Sequence, residues 1–180
     1  ECGDAMREVG RCITDQSKGV VGREVMRHVP ELLSKCVERG DGVALEVVWG
    51  LSRAEANGVV MFDTPGLVDW LMKTAETGET NEMKELALRT LRNLAAADGN
   101  AARMFAWRGF VDLLMRAGAT GETDGIKCAG LSGLTNLVTS GNGIEVAMFN
   151  TPGLVAMLIT FIQPGNNERV AAEAWRVLWG

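Results

Sequence analysis

Arg89, Arg92 and Asn93 stand within five positions of one another in "LRTLRNLA", and an asparagine returns 43 residues later as Asn136 in "SGLTNLV". A guanidinium is a planar fork of five donors that engages carboxylates or phosphates through charge-assisted hydrogen bonds. A carboxamide offers both a donor and an acceptor, which suits a peptide backbone laid across it. The chemistry within reach is therefore binding of an extended or acidic segment, with Glu46 and Glu85 diluting the basic character.

Covalent chemistry is poorly supplied. His28 is the only histidine, and no serine-histidine-acid arrangement, phosphate loop or HExxH motif occurs. Cys2, Cys12, Cys36 and Cys128 form no C-x-x-C pair and no zinc-like grouping with His28. A non-catalytic protein without metal or cofactor is expected, its thiols reduced inside the cell, in cytoplasm or nucleus. Cys128 is a candidate accessible thiol, while Cys36 aligns with Leu71 and is expected to be buried. His28 aligns with Asp63 and is expected at a turn in a structural role.

The net charge of −5, from 23 acidic and 18 basic side chains, disfavours a broad nucleic-acid or anionic-membrane footprint. No apolar run reaches the roughly 18 residues of a membrane span, and the N-terminus lacks the basic and apolar regions of a signal peptide. In 180 residues, 47% of them hydrophobic, a core can form without disulfides.

The elements that must position these side chains follow from a repeated phrase. "MFDTPGLVDWL" from Met61 returns as "MFAWRGFVDLL" from Met104 and "MFNTPGLVAML" from Met148, at steps of 43 and 44 residues. Self-similarity at such a period marks a helical repeat array. The register divides the chain into a partial repeat (1–19), a short repeat (20–55), two full repeats (56–98 and 99–141) and a fourth cut short (142–180). In the short repeat "VPELLSKCV" stands for "TPGLVDWLM". The chain starts at Glu1 and stops at Gly180 inside an expected helix, so a longer parent array is expected.

Each unit reads as a short helix, a turn, a second helix, a loop and a longer third helix. Thr64 and Thr151 are expected to cap the second helices, with Pro65 and Pro152 at their first positions. The middle copy, with Trp107-Arg108-Gly109, is expected to turn differently. Leu67, Val68, Leu71, Met72 and Ala75, like Leu154, Val155, Leu158 and Ile159, follow helical spacing and predict buried faces. At about 100° per residue, Glu85, Arg89, Arg92 and Asn93 fall opposite the apolar side of the third helix. Their equivalents are Gly42, Glu46, Trp49 and Gly50, then Cys128, Ser132, Thr135 and Asn136, then Ala172, Arg176, Trp179 and Gly180. Trp49 and Trp179 on that stripe are either interaction anchors or packing between repeats. Trp70 and Trp175 align with Leu113 and Leu131 and are expected in the core.

The period, the helix-turn-helix phrase and the endings "LRTLRNLA" and "SGLTNLV" resemble the armadillo-repeat family, with HEAT repeats the nearest rival. The resemblance implies an all-α, right-handed α-solenoid whose third helices line a concave groove. It also implies that Asn93 and Asn136 match the asparagine that holds an extended peptide backbone. The tryptophan that nuclear-import members place four residues earlier is absent, since Arg89 and Ser132 stand there, so that specificity is not implied. The expected function is a protein-interaction scaffold binding through Asn93, Asn136, Arg89, Arg92, Trp49, Glu46, Glu85, Ser132 and Arg176. The alternatives are a HEAT-like nucleic-acid module or enzyme, and a self-assembly segment associating through the truncated C-terminal repeat.

Overall fold

A computed structural model describes residues 20–97, 99–141 and 143–180, with side chains from His28 onward. The partial repeat expected over 1–19 lies outside the described residues. Among the described residues the chain is all-helical, with no strand. A long helix α1 (Val20–Arg39) is followed by α2 (Gly42–Ser52), a 3-10 turn (Glu55–Asn57), and three sets of short, middle and long helices. The first set is α3 (Gly58–Asp63), α4 (Leu67–Thr77) and α5 (Asn81–Ala96). The second is α6 (Ala101–Phe105), α7 (Phe110–Thr120) and α8 (Asp124–Thr139). The third is α9 (Ile144–Phe149), α10 (Leu154–Phe161) and α11 (Glu168–Trp179).

The repeated phrase folds for a different reason than its Thr-Pro suggests. Thr64 does not cap α4: its hydroxyl donates to the Val60 carbonyl and closes α3, and Thr151 does the same to Ala147. Pro65 and Pro152 sit in the turn, ahead of the helices that begin at Leu67 and Leu154. The middle copy turns like its neighbours. Gly66, Gly109 and Gly153 have φ of 75°, 80° and 83° with ψ near zero. In each copy the amide of the next residue donates to the carbonyl three positions back: Leu67 to Thr64, Phe110 to Trp107, Leu154 to Thr151. That is a type II turn, whose third position needs a positive φ. Glycine is the indispensable member, and Thr-Pro is replaceable.

The first unit shows the converse. Glu31 stands where the other copies have this glycine, and a side chain there resists the left-handed region. The expected turn at His28 is absent, and α1 runs through it with Pro30 inside the helix. His28 is therefore an exposed helical residue.

Long helices start at side-chain caps: Asp41, Thr80, Thr123 and Asn167 accept from the amides of Ala44, Met83, Ile126 and Val170. Each middle helix packs on the long helix of its own set, and the long helices pack one on the next in chain order, α2 on α5, α5 on α8, α8 on α11. Leucines at 45, 51, 71, 88, 91, 94, 114, 131, 134 and 137 are fully buried between them.

A second recurring contact joins successive sets. A Cβ built on Gly66 would lie 3.6 Å from Val37 Cγ1, one on Gly109 3.8 Å from Met72 Cε, and one on Gly153 4.0 Å from Met115 Cε. The equivalent of Val37, Met72 and Met115 is Ile159, which nothing later in the chain covers. Ile159 and Val155, expected to be buried, are accordingly exposed. Trp107, standing where the other copies have threonine, packs edge-on against Phe62 of the preceding set, centroids 5.3 Å apart, and donates to Asp69.

Candidate functional site

The predicted stripe lies on the consecutively packed long helices, and much of its polarity is spent holding them together. Asn136 Nδ2 donates to the Arg92 carbonyl on α5 at 2.9 Å. Asn93 Oδ1 accepts from the Arg92 guanidinium at 3.0 Å, and Asn93 Nδ2 donates to Ser52 Oγ at 3.0 Å. Ser52 in turn donates to the Trp49 carbonyl at 2.7 Å. Ser132 Oγ donates to Glu173 on α11 at 3.0 Å. Both asparagines are half-buried ties between long helices, so a bound segment would meet them only with part of their hydrogen-bonding capacity.

Arg89, Arg92 and Asn93 on α5, Trp49 on α2 and Ser132 on α8 line one polar recess of about 170 Å³. Three charged residues that the aligned stripe did not include also line it: Arg53, Arg169 and Glu173. Arg53 follows α2 and lays its guanidinium 5.5 Å from the Trp49 ring centroid, so Trp49 supports a cation. Arg169, exposed in the first turn of α11, reaches in from the other side.

Four guanidinium groups thus meet two carboxylates, and both acids are already engaged. Glu85 pairs with Arg89 at 2.5 Å. It also lies against the first turn of α8, where a Cβ on Gly125 would sit 2.0 Å from Glu85 Oε2, and a helix N-terminus favours a carboxylate. Glu173 pairs with Arg176 at 2.5 Å and accepts from Ser132. Arg53, Arg92 and Arg169 form no ion pair among the described residues. Burial lowers the Arg92 pKa from its ordinary value, Arg89 adds to the effect and Glu173 opposes it; a guanidinium remains charged regardless.

Other expected residues fall elsewhere. Arg176 does not line the recess, although it pairs with Glu173, and joins Trp175 and Trp179 around an apolar groove of about 440 Å³. Glu46 is exposed on α2. Cys128 belongs to the recess lining but is not an accessible thiol: it is only 4% exposed, and burial raises its pKa. Cys36 is fully buried, and burial pushes its thiol up to about 11. Trp175, expected in the core, is 52% exposed, and Trp179 88%. Among the described residues no helix covers that side of α11. A larger recess of about 270 Å³ between α4, α5, α7 and α8 carries Glu76, Arg116, Lys84 and Glu122, but these pair with one another and leave no charge imbalance.

Among the described residues, no cluster of three or more histidine, cysteine, aspartate or glutamate side chains could hold a metal ion. No described helix is long and apolar enough to cross a membrane. Comparison of the chain with family models and with curated proteins returns no match.

Proposed function

We propose that this chain is a non-catalytic protein-interaction module, built as a right-handed α-solenoid of armadillo-type units, that takes an extended segment of a partner protein along its long-helix face. The observation that carries the reading is the polar face itself. Equivalent positions of α2, α5, α8 and α11 lie on adjacent helices, cross-tied by Asn93, Asn136 and Ser132, and open into a recess lined by unpaired guanidinium groups. Repeat stacking makes such a face long, and variation along it gives selectivity. A nucleic-acid partner is disfavoured because the cationic groups converge on one recess of a chain with net charge −5 instead of forming a stripe.

Selection from a genetically encoded random peptide library tests the reading, with the bound surface mapped by amide chemical shifts. Selected peptides should perturb residues around Glu46, Arg89, Arg92, Ser132 and Asn136. Failure to select any binder, or a footprint confined to α4, α7 and α10, would count against it.

Exposed Trp175, Trp179, Val155 and Ile159 favour a second reading, in which a second copy of the chain covers this end. Burying a large apolar side chain is worth roughly 1.5–3 kcal/mol, enough for a few of them to drive association. Light scattering should show mass rising with concentration, and Trp175→Gln/Trp179→Gln should abolish the rise. A monomer at millimolar concentration would remove this reading.

A further inference from the structure

We propose that the arginine recess is a docking site for a phosphorylated serine or threonine side chain carried by the partner segment. The inference rests on the interaction-module reading and names the ligand class of one part of its surface.

Three features point to a phosphoryl group. The first is charge: Arg53, Arg89, Arg92 and Arg169 line the recess together with one acid, Glu173, with Glu85 beside it, and those two acids are ion-paired to Arg176 and Arg89. Arg53, Arg92 and Arg169 remain without an ion pair among the described residues, an excess of positive charge that Glu173 offsets only in part. A phosphorylated side chain brings about −1.5 to −2 charges at neutral pH and three strong acceptor oxygens, whereas a carboxylate brings one charge and two oxygens.

The second feature is geometry. The arginines reach one recess from the end of α2, the middle of α5 and the start of α11, three separate helices. A flat acidic helix would need them in a row. Arg53 is braced on Trp49 and Arg92 on Asn93, which holds the forks in place before a ligand arrives and lowers the ordering cost of binding.

The third is size. The recess of about 170 Å³ exceeds a cavity of about 150 Å³ known to admit a six-carbon ring, so a tetrahedral oxyanion fits with water beside it.

The test uses the full chain with arginine side chains labelled for Nε–Hε detection. Inorganic phosphate is titrated first. A degenerate peptide pool with one fixed phosphoserine follows, compared with pools carrying serine or glutamate at that position. Phosphate should shift the Nε–Hε signals of Arg53, Arg92 and Arg169, and the phosphoserine pool should bind about tenfold or more tightly than the glutamate pool. Arg92→Met and Arg169→Gln should each weaken phosphoserine binding about tenfold, while Arg108→Gln, at the turn before α7, should leave it unchanged. Arg169 is exposed, so its variant keeps the test valid if Arg92→Met unfolds.

Equal binding of serine and phosphoserine pools, or phosphate shifts outside these arginines, would overturn the inference. So would a single-stranded oligonucleotide that displaces the phosphopeptides and binds more tightly, since the recess would then belong to nucleic acid. Library-selected peptides that occupy the long-helix face while phosphate leaves the recess untouched would overturn this inference alone. Loss of both would overturn the module reading as well.

Discussion

Replacing Gly58 by alanine reads out the close approach between α3 and the end of α5. Gly58 opens α3 with φ −55° and ψ −46°, ordinary right-handed values at which alanine is the better helix former by about 0.5–1 kcal/mol. On propensity alone Gly58→Ala stabilises. The packing reverses the sign, because the new Cβ would lie 2.2 Å from Ala97 Cβ, where ordinary contact begins at 3.4 Å. Neither side can yield cheaply: Ala97 has no flexible side chain, and the Gly58 carbonyl accepts a hydrogen bond from the fully buried Asn100 at 2.9 Å. Overpacking of this kind costs about 1–3 kcal/mol, and weakening the Asn100 bond adds about 1 kcal/mol. The net loss is about 1.5–3 kcal/mol, or roughly 4–10 °C of Tm for a chain of this size. Thermal melts followed by circular dichroism measure it. Ala97→Gly removes the colliding Cβ and leaves its Cα at 3.7 Å, so the double variant should recover most of the loss and show a coupling of about 1–2 kcal/mol. A Tm at or above that of the parent protein for Gly58→Ala, or purely additive behaviour in the double variant, would refute the reasoning.

Gly109→Ala places a side chain at φ 80° and should cost about 1–2 kcal/mol, measured as a lower urea midpoint. Arg108→Pro, at the position its sister turns fill with Pro65 and Pro152, should instead stabilise by about 0.4–1 kcal/mol, and a lower Tm would show that this turn differs from theirs. Asn136→Ala deletes the tie to the Arg92 carbonyl and should lower stability by about 1 kcal/mol without any ligand present; an unchanged melt would mean the asparagine serves binding alone. For Cys36 the folded pKa of about 11 lies above its ordinary 9.0. Its contribution is complete below pH 9 and lost as pH rises towards 11, on the order of 2 kcal/mol. A urea series from pH 8 to 11 should show this decline, and Cys36→Ala should make it shallower, the buried Cys128 thiol supplying a remainder of the same sign.

The turn glycines illustrate what a local pattern carries. Gly66, Gly109 and Gly153 recur at the repeat period and share one left-handed conformation, so the turn was legible, although its credit belonged to glycine and not to Thr-Pro. The apolar side of α5, expected as Met83, Leu86, Ala87, Leu88, Thr90, Leu91, Leu94 and Ala95, was largely legible: the last six are buried, and Met83 and Leu86 are half-buried. Val155, Ile159 and Trp175 follow the same spacing and are exposed, because periodicity names the face that wants cover but not whether a neighbour supplies it. Cys128 errs in the opposite direction, sitting on the polar stripe of α8 yet buried.

By itself, the sequence determined the period, the all-helical character, the polar and apolar sides of the long helices, and Arg89, Arg92, Asn93, Asn136, Trp49 and Ser132 as residues of one face. These are properties of a single turn or a single helix, set by backbone sterics and by 3.6 residues per turn. It is the packing of the helices that brings Arg53, Arg169 and Glu173 to Arg89 and Arg92, and makes Asn93 and Asn136 ties between helices. Those facts depend on how far one helix is displaced against the next and how far a long side chain reaches across the gap, quantities that no residue spacing within one repeat contains.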